Sequence, residues 1–246
     1  MEKKNRHDLK ISGSATASGG FYNNVVVNGQ GDISGDFDCI NLKVSGTSDI
    51  DGTVKTKTGK IVGRAAITGN LESDDFSVSG MLDVRGAVDA KELRIDGTAV
   101  VGGKLSAEHI QIKGGFKAKD DCTAETFVSK GAFSVGGLLN AGNVDIVLYG
   151  PCHAKEIGGE TINVRKGNTF RLGRIINSIL FSLDLNGGLS ADTIEGDDIY
   201  LEDTKAKAVR GNNISIGQGC DIGLVEYKGK FDQSNHSRVK ENRKAR

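Results

Sequence analysis

Glycine stands at Gly29, Gly46, Gly63, Gly80, Gly97, Gly114 and Gly131, each seventeen residues after the last, and Gly13 precedes Gly29 by sixteen. A fixed period of this size confines a chain to a solenoid, in which each repeat buries its apolar face only against its neighbours. Aligned at seventeen, the chain resolves into columns of one chemistry. Ile33, Ile50, Ile67, Val84, Val101, Ala118 and Val135 form one; Phe37, Val54, Leu71, Val88, Leu105, Cys122 and Leu139 form a second. Leu42, Gly59, Phe76, Leu93, Ile110, Phe127 and Val144 form a third, and Val44, Ile61, Val78, Ile95, Ile112, Ser129 and Ile146 a fourth, two places on. A small-residue column, Cys39 to Ala141, and a column from Gly31 through Leu82 to Phe133 complete three pairs at i, i+2.

An i, i+2 pair is one face of a strand, so three pairs per repeat predict three short strands per coil: an all-β, triangular parallel β-helix. Gly35, Gly52, Gly69, Gly86, Gly103 and Gly137 make a second ladder, read as a corner that needs positive φ, with Asp120 as the strained exception. Each buried Ile, Leu, Val or Phe contributes on the order of 1.5–3 kcal/mol, enough in sum to offset the ordering of so many glycines. The expected organisation is a disordered arm over 1–8, seventeen-residue coils over 9–147, a continuation over 148–227 and a disordered basic tail over 228–246. Leu148-Tyr149-Gly150-Pro151 breaks the register at the only proline. Beyond it, Cys152-x-Ala154-x-x-Ile157-x-Gly159-x-x-Ile162-x-Val164 recurs from Leu189 to Leu201 and from Thr204 to Ile216. The last two copies predict fifteen-residue coils, and the gap between the first two places an insertion over 165–188.

Within the insertion, Leu172, Ile175, Ile176, Ile179, Leu180 and Leu183 fall on one helical stripe, beside Phe170, Phe181, Arg171 and Arg174. The stripe suits packing on the solenoid or contact with a membrane surface or partner, and Phe170, Arg171, Leu172, Arg174, Ile175, Ile176, Ile179, Leu180 and Phe181 are the candidate contact residues. The tail carries seven basic residues against Asp232 and Glu241, which reads as a solvated segment.

Chemistry is sparse. The 32 basic and 32 acidic side chains leave no bias toward nucleic acid. No apolar run follows Met1, and no eighteen apolar residues stand together, so neither a signal peptide nor a membrane span is expected. Cys39, Cys122, Cys152 and Cys220 lack the spacing of a zinc or redox motif and fit a reducing cytosol. His109 and His153 flank inward positions and read as surface histidines; Asp74-Asp75 reads as a solvated turn, and Thr58-Gly59-Lys60 lacks the spacing of a phosphate loop. No cofactor and no catalytic residues are assigned. The enzymatic alternative is a hexapeptide-repeat acyltransferase, a left-handed β-helix suggested by Ile216-Gly217-Gln218-Gly219-Cys220-Asp221-Ile222-Gly223 with His153 or His109 as base. Its coils run at eighteen, against the periods found here. A monomeric β-helical adaptor is a further alternative.

A β-helix with uncovered ends presents unpaired backbone groups to another molecule. The expected interface residues are Phe21, Tyr22, Val25 and Val27 near one end and Val225, Tyr227 and Phe231 near the other. The apolar-x-apolar-x-Gly strands from Leu9 to Ile146, with Asp192–Glu202 and Arg210–Gly217, resemble the bactofilins, polymer-forming bacterial cytoskeletal proteins, in their longer Gram-positive form. The resemblance implies a right-handed β-helix that polymerises end to end without nucleotide. It implies a cytoplasmic scaffold, at the inner face of the cell membrane, for envelope, shape or motility machinery. Its implied partners are further copies of the chain, a paralogue, the membrane surface and client proteins.

Overall fold

In a computed structural model, residues 5–167 and 187–245 are described, and among them there are nineteen β-strands and no helix. The chain divides into two compact units, residues 1–109 and 110–246. The fold is the expected parallel β-helix: in each unit the strands pair parallel, coil on coil.

Unit 1 holds β1 (His7–Ile11), β2 (Ser14–Val27), β3 (Gln30–Val44), β4 (Thr47–Asp51), β5 (Val54–Ile61), β6 (Arg64–Ile67), β7 (Leu71–Val78), β8 (Met81–Val84), β9 (Val88–Ile95) and β10 (Thr98–Val101), with most of β11 (Leu105–Ile112). Its register is the sequence period: Thr47 pairs with Arg64, Arg64 with Met81 and Met81 with Thr98. The inward columns are buried from Ile33, Val44 and Phe37 to Val101 and Ile95, with Ser73 of the small column half-buried. The coil has three faces, as expected, but two of them lie on one strand. In β5 the alternation slips at Lys57 and Thr58, both exposed, so the strand turns a corner in its middle. The small column sits at this corner, where the Thr56 hydroxyl donates to the Thr58 carbonyl at 2.8 Å and Ser73 to Asp75 at 3.1 Å. Neighbouring coils also fit by volume: a Cβ on Gly59 would collide with the Phe76 ring, which is wholly buried.

The glycine corners work differently from the expectation. Of the ladder from Gly35 to Gly137, only Gly35 has positive φ, and Asp120 has none. Gly52, Gly69 and Gly86 are fixed instead by close approach of backbone: a Cβ on Gly69 would lie 2.6 Å from the Gly52 carbonyl carbon. The other ladder obeys the same limit, because a Cβ on Gly46 would strike the Gly29 carbonyl oxygen, which accepts from Thr47 N at 2.9 Å.

Unit 2 continues with β12 (Gly115–Ala118), β13 (Cys122–Ser129), β14 (Ala132–Leu148), β15 (Pro151–Lys166), β16 (Gly188–Leu201), β17 (Thr204–Ile216), β18 (Asp221–Gln233) and β19 (Arg238–Lys244). Phe116, Phe127 and Phe133 are wholly buried, the last two edge to face at 5.3 Å, and the small Ala118, Cys122, Ala124 and Ser129 balance their volume. The three matched copies stack as read: Ile157, Ile194 and Val209 are successive partners, as are Gly159, Gly196 and Gly211.

Four boundaries are corrected. His7 and Asp8 belong to β1, with Asp8 accepting from Asn24, because Leu9 and Ile11 stack on Val25 and Val27 and carry their neighbours into the ladder. Arg165, Lys166 and Gly188 are strand residues, so the inserted segment is shorter than 165–188. Fifteen is the step only from β16 to β17; Lys205 pairs with Asp221 and, past an irregularity after Gly211, Asn213 pairs with Lys230. The tail is not disordered: Lys228 to Gln233 complete β18, and Arg238 to Lys244 form β19, because Phe231 and Val239 stack on Ile214 and Ile222.

Candidate functional site

The first candidate surface is the edge of unit 1 formed by β1 and the start of β2. There the inward columns reach their first described members: Leu9, half-buried; Ala15, exposed above Gly31; and Ala17, half-buried above Ile33. The residues expected here lie one coil deeper. Val25 and Val27 are fully buried beneath β1, and Tyr22 is covered by the His7 ring at 4.8 Å while its hydroxyl donates to the Ser18 carbonyl. Phe21 alone of the four is exposed, with the Arg6 guanidinium 5.9 Å from its ring centre. Arg6 also donates to the Tyr22 carbonyl and pairs with Asp38 at 2.9 Å.

The second surface is the edge of unit 2 formed by β18 and β19. Val225 is fully buried, paired in register with Asn242 of β19, so it is not an edge residue. Tyr227 and Phe231 are half-buried, their rings stacked at 5.4 Å. The Glu226 carboxylate accepts from Arg210 Nε at 2.6 Å and from Arg243 Nε at 2.8 Å, and these hydrogen bonds hold its pKa below the ordinary value. Sequence reading missed Val239 and Asn242. The one signal was Val239, seventeen after Ile222, and the charges around it conceal the repeat.

Unit 2 also bears an open groove of about 880 Å³. Gly159, Gly196 and Gly211 form its floor, and Glu160, Glu195 and Asp197 stand among its lining. The floor glycines are set by close approach, since a Cβ on Gly211 would lie 2.5 Å from the Gly196 carbonyl oxygen.

The remaining candidates are surface or core groups. His153 Nδ1 lies 3.0 Å from Ser190 Oγ on an exposed face, and His109 Nε2 lies 3.9 Å from Glu92 Oε1. Asp74 pairs with Lys91 and Asp75 with Arg94, exposed pairs that tie one coil to the next. All four cysteines are free and buried, and burial pushes Cys122 and Cys152 up to about 12; such thiols pack as small hydrophobes. Among the described residues no group of three His, Cys, Asp or Glu gathers as metal ligands would, and no helix is long and apolar enough to cross a membrane. The candidate contact residues from Phe170 to Phe181 lie outside the described residues.

No family model and no solved structure matches the chain. Two proteins of Bacillus subtilis (strain 168) do, each carrying the description uncharacterized protein. YhbF is 51% identical over 245 residues, spanning 99% of this chain and 100% of YhbF. YhbE is 56% identical over 224 residues, spanning 91% of this chain and 92% of YhbE. Identity at this level over nearly the whole of both chains makes the present protein a member of the family of YhbF and YhbE.

Proposed function

We propose that this protein is a non-enzymatic, bactofilin-like scaffold that assembles from copies of itself, coil edge on coil edge, without nucleotide. The observation that carries the reading is the edge of unit 1, where the strand Ser14–Ser18 pairs on one side with β3 and leaves Ala15 exposed on the column of Gly31. An edge strand with apolar inward positions is a template for another strand, and backbone pairing across it needs no bound nucleotide. Assembled copies present one outer surface repeatedly, which is what a scaffold for envelope, shape or motility machinery at a membrane requires. The presence of two family members in one organism favours a paralogue as a copolymer partner. The inserted segment supplies the membrane or client contact.

Sedimentation velocity of the purified full chain tests the reading. Large species are expected, and Ala17→Arg, which puts a charge on the open edge, shifts them to small ones. A chain that stays monomeric at every concentration overturns self-assembly; large species untouched by Ala17→Arg remove this edge from the interface. For the membrane contact, deletion of residues 171–185 is expected to abolish co-sedimentation with liposomes of anionic lipid and to leave assembly intact.

A further inference from the structure

β19 is built unlike the strands beneath it. Of its seven residues, Arg238, Lys240, Glu241, Arg243 and Lys244 are charged, and only Val239 is half-buried while the other six are exposed. Its register sets Val239 on Ile222, Glu241 on Leu224 and Asn242 on Val225. Ile222 and Val225 are nevertheless fully buried. The strand thus shields an apolar coil while burying almost nothing of its own. Charged, lysine-rich edge strands are a common means of stopping further strand addition.

The attachments of β19 are local and polar. Arg243 reaches back to Glu226, and Ala245 N donates to the Tyr227 carbonyl at 2.8 Å. The turn that leads into β19 closes on itself: Ser237 N and Oγ both donate to the Ser234 carbonyl, and Gln233 Nε2 donates to the Ser237 carbonyl at 3.2 Å. The turn is also tied to the coil before it, since Gly219 N donates to the His236 carbonyl at 2.9 Å and Ser234 N to the Ile216 carbonyl at 2.8 Å, so it stays in place if the strand beyond it swings away.

We propose that β19 is a displaceable cap: in place it covers the stretch Asp221–Tyr227 of this edge of unit 2, and when it peels from β18 it offers Ile222, Leu224 and Val225 to the edge coil of a second copy of this chain. The proposal rests on the self-assembly reading for the identity of the partner. A second copy is the fitting occupant because the vacated slot is a coil of this repeat. It wants a strand with small or aliphatic inward residues, the character of Leu9, Ala15 and Ala17 at the open edge of unit 1. β19 accordingly sets whether growth occurs at the edge it covers.

The test is the full chain carrying Glu226→Cys and Arg243→Cys, facing positions of a parallel ladder whose spacing suits a disulfide. With glutathione disulfide the two thiols become one disulfide and β19 is stapled; with a thiol reductant the ion pair is gone and β19 is released. The native cysteines are buried and stay out of the exchange. Amide exchange over Ile222–Tyr227 is expected to run about tenfold faster in the released form, and large species in sedimentation are expected to rise several-fold over the stapled form. Arg243→Glu, whose carboxylate faces Glu226, should move both readings the same way without any disulfide. Equal exchange in the two forms overturns the cap. Faster exchange with assembly unchanged leaves a loose strand and overturns its control of growth. Faster exchange with no assembly in either form retains the displaceable strand and overturns the self-assembly reading instead.

Discussion

From Gln30 to Val101, unit 1 advances by seventeen residues from coil to coil. Unit 2 advances by seventeen from Cys122 to Leu139, by nineteen from Phe133 to Cys152, by fifteen from Leu189 to Thr204 and by sixteen from Lys205 to Asp221. The difference follows from the corners. In unit 1 glycine lies on glycine at Gly29, Gly46, Gly63 and Gly80, so close that a Cβ on any of the last three would meet a carbonyl oxygen of the coil before. A corner packed in this way holds its length. In unit 2 one corner moves to Asp203, at φ 42°, and Gly219, at φ 76°, the left-handed region that tolerates Asp and suits Gly. The inserted segment, the open groove and the charged last described strand all lie in this unit. Regularity supplies stability, and departure from it supplies the distinctive surfaces of this chain.

The comparison breaks most easily at Phe76, whose ring occupies the space left by Gly59. Phe76→Ala is expected to cost about 3–5 kcal/mol in urea unfolding, since the ring is wholly buried and the coil on either side is fixed in length. A cost below about 1 kcal/mol would show that unit 1 repacks freely and that its strict period has another cause.

A sharper contrast sets Gly46→Ala against Gly142→Ala. The first places a methyl group on the Gly29 carbonyl oxygen and 2.7 Å from that of Asn28, both backbone atoms, and should cost about 2–3 kcal/mol or prevent folding. The second meets only the Glu125 carbonyl oxygen at 3.2 Å and should stay within about 1 kcal/mol. Equal effects would remove close approach as the reason for the glycine ladder.

The smallest effect concerns pH. Glu226 is held below its ordinary value of 4.5 by hydrogen bonds from Arg210 and then Arg243. A depressed carboxylate contributes stability that is present above 4.5 and is lost as pH falls through the folded-state value. Amide exchange of β19, corrected for intrinsic rates, should therefore quicken below pH 4.5 ahead of the strands beneath it, and Glu226→Gln should flatten that dependence. Uniform loosening of unit 2 would assign the acid response to other carboxylates.

The core was legible in the sequence because two periods act together: alternation says which residues point inward, and seventeen says which of them stack. Ile33 through Val101 and Phe37 through Leu105 needed nothing more. The corners were less legible, since glycine serves both positive φ and close approach, and composition does not separate them; Gly35 uses the first and Gly69 the second. The edges were legible only in part: Phe21 and Phe231 stand on stretches with no strand paired on their outer side, whereas Val25, Val27 and Val225 lie one coil deeper. At one, the repeat was read from Leu9, but His7 and Asp8 carry no apolar side chain to mark them as strand, although backbone pairing places them in β1. At the other, Val239 is the one apolar residue among Arg238, Lys240, Glu241, Arg243 and Lys244, so the strand reads as a solvated tail although backbone pairing with β18 is enough to form it.

Negative-stain electron microscopy of the purified chain, without nucleotide, tests the central claim most directly. Self-assembly through coil edges predicts filaments or ordered arrays that grow with protein concentration and are lost in Ala17→Arg. Uniform single particles at every concentration, in the native chain and in the released form of the Glu226→Cys, Arg243→Cys variant alike, would contradict it.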